Sequence, residues 1–555
     1  MLPLVEGESK SVFRETLRYV REPRTTSGLL VAILLLICYC AIDQPVFGQQ
    51  KGVSTGQKLP SPDRVIDNYF KAIGGKKRAA TIQDATYEWI IKLKDQAVGL
   101  GKTQLKWPAS TRSEMSFGNG QIISGANGRS AWVLGIDGQL RTLTGTDAAA
   151  AKLQAALDAS HLVEYKRNNI LARIVSFSDI APEPVYVAEF STRSGSRLKY
   201  WFGYKSRLLV RIEDEARKSI IRFDDYRSEG TILEPHRIHL STDGGELTLE
   251  LQRVSYNKGI SNSSFDPPAA EALDVPGLLR QVSRNQDELE QRFTEYSFVQ
   301  KETDREISGR GEVKKETVKV FEVFPIANRE PILKLISENG VPLAGERAAK
   351  EEKRVQEEFL KAERDKDKNE EKAKQRREER LRKNRGKGNQ NEDEDVEISQ
   401  FLRVCEFVSP RRERFRDREA VVFDFRARPG YKPSSRLESL ISKLVGVVWI
   451  DPHDKQVMRL EARLAEGFKM AGGLLLSLRP GAAFVMEQTR MEEGVWLPRY
   501  AQLNLSVKVL LFGGGDVNKT LEWSDYKHFK GDVGDYKLDA PKTDALKETS
   551  PNKKP

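Results

Sequence analysis

Two segments constrain this chain most: Trp201–Glu213 (WFGYKSRLLVRIE) and Trp449–Glu461 (WIDPHDKQVMRLE). In each, a Trp is followed ten residues on by Arg and twelve on by Glu, namely Arg211 and Glu213, then Arg459 and Glu461. Turn residues occupy the middle of both, Gly203–Ser206 and Asp451–Asp454, so each segment predicts strand, tight turn, strand. Leu208, Val210 and Ile212 alternate with Leu209, Arg211 and Glu213; Met458, Leu460 and Ala462 alternate with Val457, Arg459 and Glu461. A period of two marks a half-buried strand. The chain therefore carries two copies of one β-rich domain.

The surrounding sequence repeats the same plan. Ser61 and Pro62 open a helix whose apolar face is Val65, Ile66, Tyr69, Phe70 and Ile73, ended by Gly74-Gly75. Short alternating runs follow at intervals of about ten residues, with an Ala-rich helix near Ala148–Leu157 and few other helices. That spacing predicts an antiparallel meander and argues against a parallel α/β sheet. Pro267-Pro268 marks a boundary, after which a helix near Val275 and a second meander begin. Residues 341–397 interrupt the second copy with a run of Lys, Arg, Glu and Asp. Such a run cannot build a core, so a solvated helix over Arg347–Leu381 and a disordered Lys383–Asp395 are expected. Strands are expected to resume at Phe401, and Gly513–Asp516 is expected to be a hairpin turn.

With 555 residues, 31% of them charged, the chain is a multidomain soluble protein in bulk. Its net charge of +10 speaks to association with acidic surfaces and not to fold. The N-terminus reads as an export signal: Arg14, Arg18, Arg21 and Arg24 precede the apolar run Leu29–Ile42, with small residues up to Gly48. Cleavage near Gly48 is expected, with retention as an inner-membrane anchor through 29–42 as the alternative; in a Gram-negative cell the rest lies in the periplasm. Cys38 and Cys40 fall in that run, which leaves Cys405 alone in a strand-like context, as a small buried residue.

Several motifs then converge: Y-F-K-A-I-G-G (69–75), F-D-D-Y-R (223–227), E-P-H-R-I (234–238), S-D-Y-K (524–527), and the Trp hairpin with its Arg-x-Glu. Together they resemble the outer-membrane lipoprotein-sorting (LolA/LolB-like) superfamily, in two tandem copies of which the second is divergent. The resemblance implies a mainly β (α+β) fold of two antiparallel open half-barrels, each with covering helices. The expected division is 1–48 signal or anchor, 49–60 linker, 61–267 first half-barrel, 270–535 second half-barrel with the 341–397 insertion, and 536–555 disordered tail. The sorting members hold acyl chains in an apolar hollow.

The residues offer no catalytic motif. His236 and His239 are three apart on a predicted strand and face opposite ways, and no H-E-x-x-H or C-x-x-C occurs. Asp224 and Asp225 likewise diverge, and Asp424 between two Phe is expected to be solvent-facing or salt-bridged. There is no G-x-S-x-G elbow and no phosphate loop. No enzyme activity, cofactor or metal is expected, and no nucleic-acid partner, because the charged insertion has acidic residues interleaved and almost no aromatics. The candidate ligand-facing residues are Trp89, Ile91, Leu249, Leu251, Trp449, Leu505, Val507 and Trp523, which line a lipid cavity or form a dry core. The expected function is binding of a lipid or lipoprotein partner through an apolar concave face, with membrane-surface contact. The alternative is an interaction module with a closed core.

Overall fold

The computed structural model of the chain describes residues 59–158, 162–180, 182–269, 273–293, 295–308, 312–326, 331–364, 396–470, 476–509 and 513–528. The expected signal segment, the Lys383–Asp395 stretch and the C-terminal tail lie outside the described residues.

Helix α1 (Pro62–Ala72) starts as the sequence predicts. The Ser61 hydroxyl accepts from the Arg64 N–H, and Pro62 occupies the first turn, where an N–H has no helical partner. Val65, Ile66, Tyr69 and Phe70 form its buried face. After α2 (Lys76–Ala79) come β1 (Asp84–Leu93), β2 (Gln96–Lys106), β3 (Ser110–Phe117), β4 (Gly120–Ala126), β5 (Ala131–Leu134) and β6 (Leu140–Thr142). Helix α3 (Gly145–Ala156) leads to β7 (Leu171–Ile180), β8 (Glu183–Ser191), β9 (Arg197–Gly203), β10 (Leu209–Asp214), β11 (Ser219–Glu229), β12 (Ile232–Thr242) and β13 (Gly245–Tyr256). The sheet order is β6-β5-β4-β3-β2-β1-β13-β12-β11-β10-β9-β8-β7. Two meanders are thus joined by pairing the first strand with the last, and the sheet stays open.

The second sheet repeats this plan. Helix α4 (Val275–Phe293) precedes β14 (Tyr296–Ile307), β15 (Val313–Phe324), β16 (Ile332–Glu338) and β17 (Val341–Pro342). After α5 (Gly345–Arg364) and α6 (Val396–Val404) come β18 (Cys405–Phe415), β19 (Arg418–Ala427), α7 (Arg436–Ile441), β20 (Leu444–Asp451) and β21 (Gln456–Leu464). The chain then forms β22 (Phe468–Met470), β23 (Leu476–Leu478), β24 (Ala483–Arg490), β25 (Trp496–Val509) and β26 (Gly513–His528). The order is β17-β16-β15-β14-β26-β25-β24-β21-β20-β19-β18, with β22 beside β23 and β23 beside β25. β14 pairs with β26 as β1 pairs with β13. The two Trp hairpins, β9–β10 and β20–β21, hold equivalent places.

Each sheet has one apolar face covered by helices. On the first, α1 packs on Ala188, Tyr200, Phe202 and Ile212. On the second, α4, α6 and α7 contribute Val275, Leu279, Val404 and Ile441 to a core with Phe423, Ile450, Leu460 and Leu503.

Four local expectations need correction. A register shift between Leu209 and Arg211 inserts one residue, so Leu209 and Ile212 are both buried and the simple alternation fails. Phe401–Val404 is helical and the strand begins at Cys405. Gly513–Asp516 lies within β26, paired with Ser506–Val509. Helix α5 is not a solvated spacer: Val355 is fully buried against Phe324 and Ile332, and Glu351 accepts the Leu335 N–H at 2.8 Å. One apolar position per few turns suffices once a sheet edge is present to receive it.

Candidate functional site

Four of the expected ligand-facing residues come together. Trp89, Ile91, Leu249 and Leu251 form one buried cluster, because the β1–β13 register sets Trp89 opposite Leu251 and Ile91 opposite Leu249. On the other flank, β2 presents Gly101 and Gly99 opposite Trp89 and Ile91. A Cβ at 101 would stand 3.2 Å from the Trp89 Cβ, so glycine makes room for the indole. Half-buried Val98, Met115, Phe117, Ile238 and Leu247 surround the cluster, and no helix residue among the described residues belongs to it. Ile238 lies opposite Phe223, which packs on the α1-covered core, so one apolar face continues past the helix.

The other four are placed elsewhere. Leu505 is buried in the helix-covered core of the second sheet, and Trp523 packs against that core with its Nε1 donating to Gln300 at 2.9 Å. Trp449 lies on the opposite face, with Val422, Met458 and Trp496. Val507 pairs through its backbone with Leu478 and Gly515.

The Trp-Arg-Glu motif now has a physical cause. The hairpin register sets Trp201 opposite Arg211, and Trp449 opposite Arg459. Each guanidinium lies over its cross-strand indole, at 4.6 Å and 5.9 Å from the ring centroids. Each also pairs with the Glu two residues on, on the same face: Arg211–Glu213 at 2.9 Å and Arg459–Glu461 at 2.8 Å. In the first sheet this face is polar; in the second it also carries the buried apolar group of Val422, Trp449, Met458 and Trp496.

A cleft of about 1170 Å³ lies between the two lobes, lined by residues of both sheets and of α3. One wall holds Glu189, Lys199 and Glu213, neighbours on β8, β9 and β10. The other holds the cross-strand row Arg459, Glu487, Tyr500, Glu522 and Lys301. Lys152 of α3 reaches across to Glu461 at 3.5 Å. Burial works to raise the Glu461 carboxyl, but Lys152 and Arg459 beside it hold it below the usual carboxylate range.

Polar contacts tie the two lobes at both ends of the cleft, buried at one end and part-buried at the other. Arg411 pairs with Glu413 at 2.7 Å and Asp424 at 3.1 Å, all three nearly inaccessible. From the first sheet, Thr142 donates its N–H and hydroxyl to Glu413, and the Ser130 hydroxyl donates to Asp424 at 2.6 Å. At the other end, Arg193 pairs with Asp516, and Asn518 donates to the Arg193 carbonyl. Asp424 is thus salt-bridged, as one of the two sequence readings had it. Its partners lie far away in the chain, and no local motif announces them.

The remaining singled-out groups are tied up locally. His236 contacts Glu229 at 2.9 Å, and His239 lies between Thr248 and Asp224. Cys405 is buried, which pushes its thiol up to about 12. No group of three or more His, Cys, Asp or Glu among the described residues could hold a metal ion. No helix among them is long and apolar enough to cross a membrane.

No family model matches the chain, and no curated protein matches it. Similar solved structures include the LolA superfamily protein NE2245 from Nitrosomonas europaea, at 13% identity and a TM-score of 0.27, covering 38% of this chain and 98% of that one. A putative outer membrane lipoprotein-sorting protein domain from Vibrio parahaemolyticus is similar at 10% identity and a TM-score of 0.25, covering 37% and 95%. The Pseudomonas aeruginosa MucA/MucB complex is similar at 8% identity and a TM-score of 0.16, covering 84% and 99%.

Proposed function

We propose that this chain is a non-catalytic binding protein of the bacterial envelope, and that it takes an acyl chain of a lipid or lipidated partner on the first sheet. The observation that supports this reading is the helix-free stretch of apolar face around Trp89, Ile91, Leu249 and Leu251. Each methylene buried there contributes roughly 0.8 kcal/mol, so about ten of them supply about 8 kcal/mol before association costs. The matching face of the second sheet is filled by α4, α6 and α7, so the second lobe acts as the structural half. The basic and then apolar N-terminal sequence supports export.

Native mass spectrometry with lipid extraction, on protein expressed into the periplasm, tests the reading. A stoichiometric acyl ligand that disappears in Met115→Asp and Leu247→Asp, with both variants folded, is the expected result. These two side chains are half-buried at the rim, so a charge there spoils the apolar surface without entering the core. A clean apo mass that stays unchanged on mixing with envelope lipids would transfer the assignment to a protein-interaction module.

A further inference from the structure

The cleft wall on the second sheet carries a charge imbalance that internal pairing does not remove. Glu487 is buried, and three guanidinium groups converge on its single carboxylate. Arg459 Nη1 lies 2.6 Å from Oε2, Arg499 Nη1 lies 3.9 Å from Oε1, and Arg416 makes a direct ion pair. Arg459 is also matched by Glu461, which Lys152 in turn neutralises. Next along the row, Lys301 and Glu522 pair with each other at 2.8 Å. The Arg416, Arg459 and Arg499 group therefore keeps two positive charges in excess of its carboxylate. Burial, and then the neighbouring Arg499 and Arg459, act to lower the Arg416 pKa.

The backbone holds this arrangement in place. Arg416 sits in the tight turn between β18 and β19 with a φ of +55°, a conformation that a non-glycine residue adopts at a cost. Arg459 is fixed in mid-strand beneath Trp449, and Arg499 is on β25. All three line the cleft with Tyr500. The cleft lining holds eleven basic and seven acidic side chains, and of the basic ones Arg129 and Arg193 are paired with Asp266, Asp424 and Asp516 beyond it.

We propose that Arg416, Arg459 and Arg499 form a binding site for a phosphate group in the cleft between the two sheets. A phosphate monoester carries a charge near −2 at neutral pH, which matches the local excess, and planar guanidinium forks suit its oxygens. The volume of the cleft leaves room for whatever the phosphate is attached to. This site shares no residue with the apolar cluster on the first sheet and does not rest on the acyl reading. The phosphate belongs to a lipid headgroup or to a soluble ester; both present the same chemistry to the three arginines.

The test uses the full chain. Isothermal titration with inorganic phosphate and with glycerol 3-phosphate should show saturable binding that weakens as salt is raised. Arg499→Ala should weaken it about tenfold, the order expected for losing one charge-assisted hydrogen bond to an ionised group. Arg499→Lys should recover part of that loss, since charge is kept and the fork is not. Arg499 is half-exposed, so its replacement leaves the fold intact; an unchanged thermal midpoint without ligand checks this. Arg416→Ala serves as the second variant. Flotation with phosphatidylcholine vesicles containing phosphatidic acid separates the sources. Binding that free phosphate competes away identifies a headgroup, and phosphate binding without flotation identifies a soluble ester. Absence of phosphate binding by the wild-type chain, or equal affinity in both alanine variants, overturns the proposal.

Discussion

Glu234 illustrates how much a single side chain depends on its surroundings. It belongs to the E-P-H-R-I segment, and its Oε1 accepts from the Tyr87 hydroxyl at 3.0 Å and the Tyr256 hydroxyl at 2.7 Å. Burial raises its carboxyl to about 7, against the two donated hydrogen bonds that act to lower it. In the unfolded chain the group titrates near about 4.3, so its native pKa is raised. The neutral form is therefore favoured by the fold, and its stabilisation is full below about pH 4 and lost as pH rises towards about 7. Denaturant unfolding should show this as a decline on the order of 1–3 kcal/mol across that window, absent in Glu234→Gln. A similar decline in the variant would assign the pH dependence to other groups. The Tyr-Glu-Tyr contact was not legible in the sequence, where Tyr87 is simply one member of an alternating strand.

At the scale of the element, the two Trp hairpins share one motif but not one environment. Arg459 is 8% exposed in its side chain and Arg211 is 26% exposed. Removing Arg459 takes three charge-assisted hydrogen bonds from Glu461 and Glu487 on a buried wall, where Lys152, Arg416 and Arg499 replace its charge only in part, whereas removing Arg211 leaves Glu213 near solvent. Arg459→Met should therefore cost about 3–5 kcal/mol in urea unfolding, and Arg211→Met no more than about 1 kcal/mol. Equal costs would show that the motif works through the indole contact alone. Gly446 on β20 makes a related case: a Cβ there would run into the Glu461 carbonyl oxygen and, at 2.7 Å, the Phe425 ring. Gly446→Ala should destabilise by about 1–3 kcal/mol through overpacking, read as a lowered thermal midpoint. The periodic spacing of these hairpins is local information, which is why their strands were legible. The register shift at Leu209 and the helical start at Phe401 were not, because tertiary packing decides both.

For the whole molecule, the consequential feature is the buried bridge of Arg411, Glu413 and Asp424 with Thr142 and Ser130. Removing the guanidinium leaves two buried carboxylates side by side on β18 and β19 at the lobe contact, with Arg129 of the first lobe, 3.4 Å from Asp424, as the nearest remaining cation. Arg411→Met should cost about 3–5 kcal/mol and loosen the lobes. Small-angle scattering should then report a larger radius of gyration, and limited proteolysis a new cut between the sheets. An unchanged radius would show that the Arg193–Asp516 end holds the lobes without help. Moderate salt should not mimic the substitution, because ions screen buried pairs little.

The chain's own sequence determined its class and its duplication. A period of two, turn residues at fixed intervals and a Trp-to-Arg spacing of ten are properties of short segments, and they act before any long-range contact forms. The cleft, the three-arginine cluster and the bridge between lobes were decided only by tertiary structure. Thr142 and Glu413 are 271 residues apart, and Arg416 meets Glu487 only because β18 and β24 belong to one sheet. Composition counts many arginines and glutamates; which of them meet, and where charge stays in excess, is set by strand order within each sheet and by how the two lobes meet.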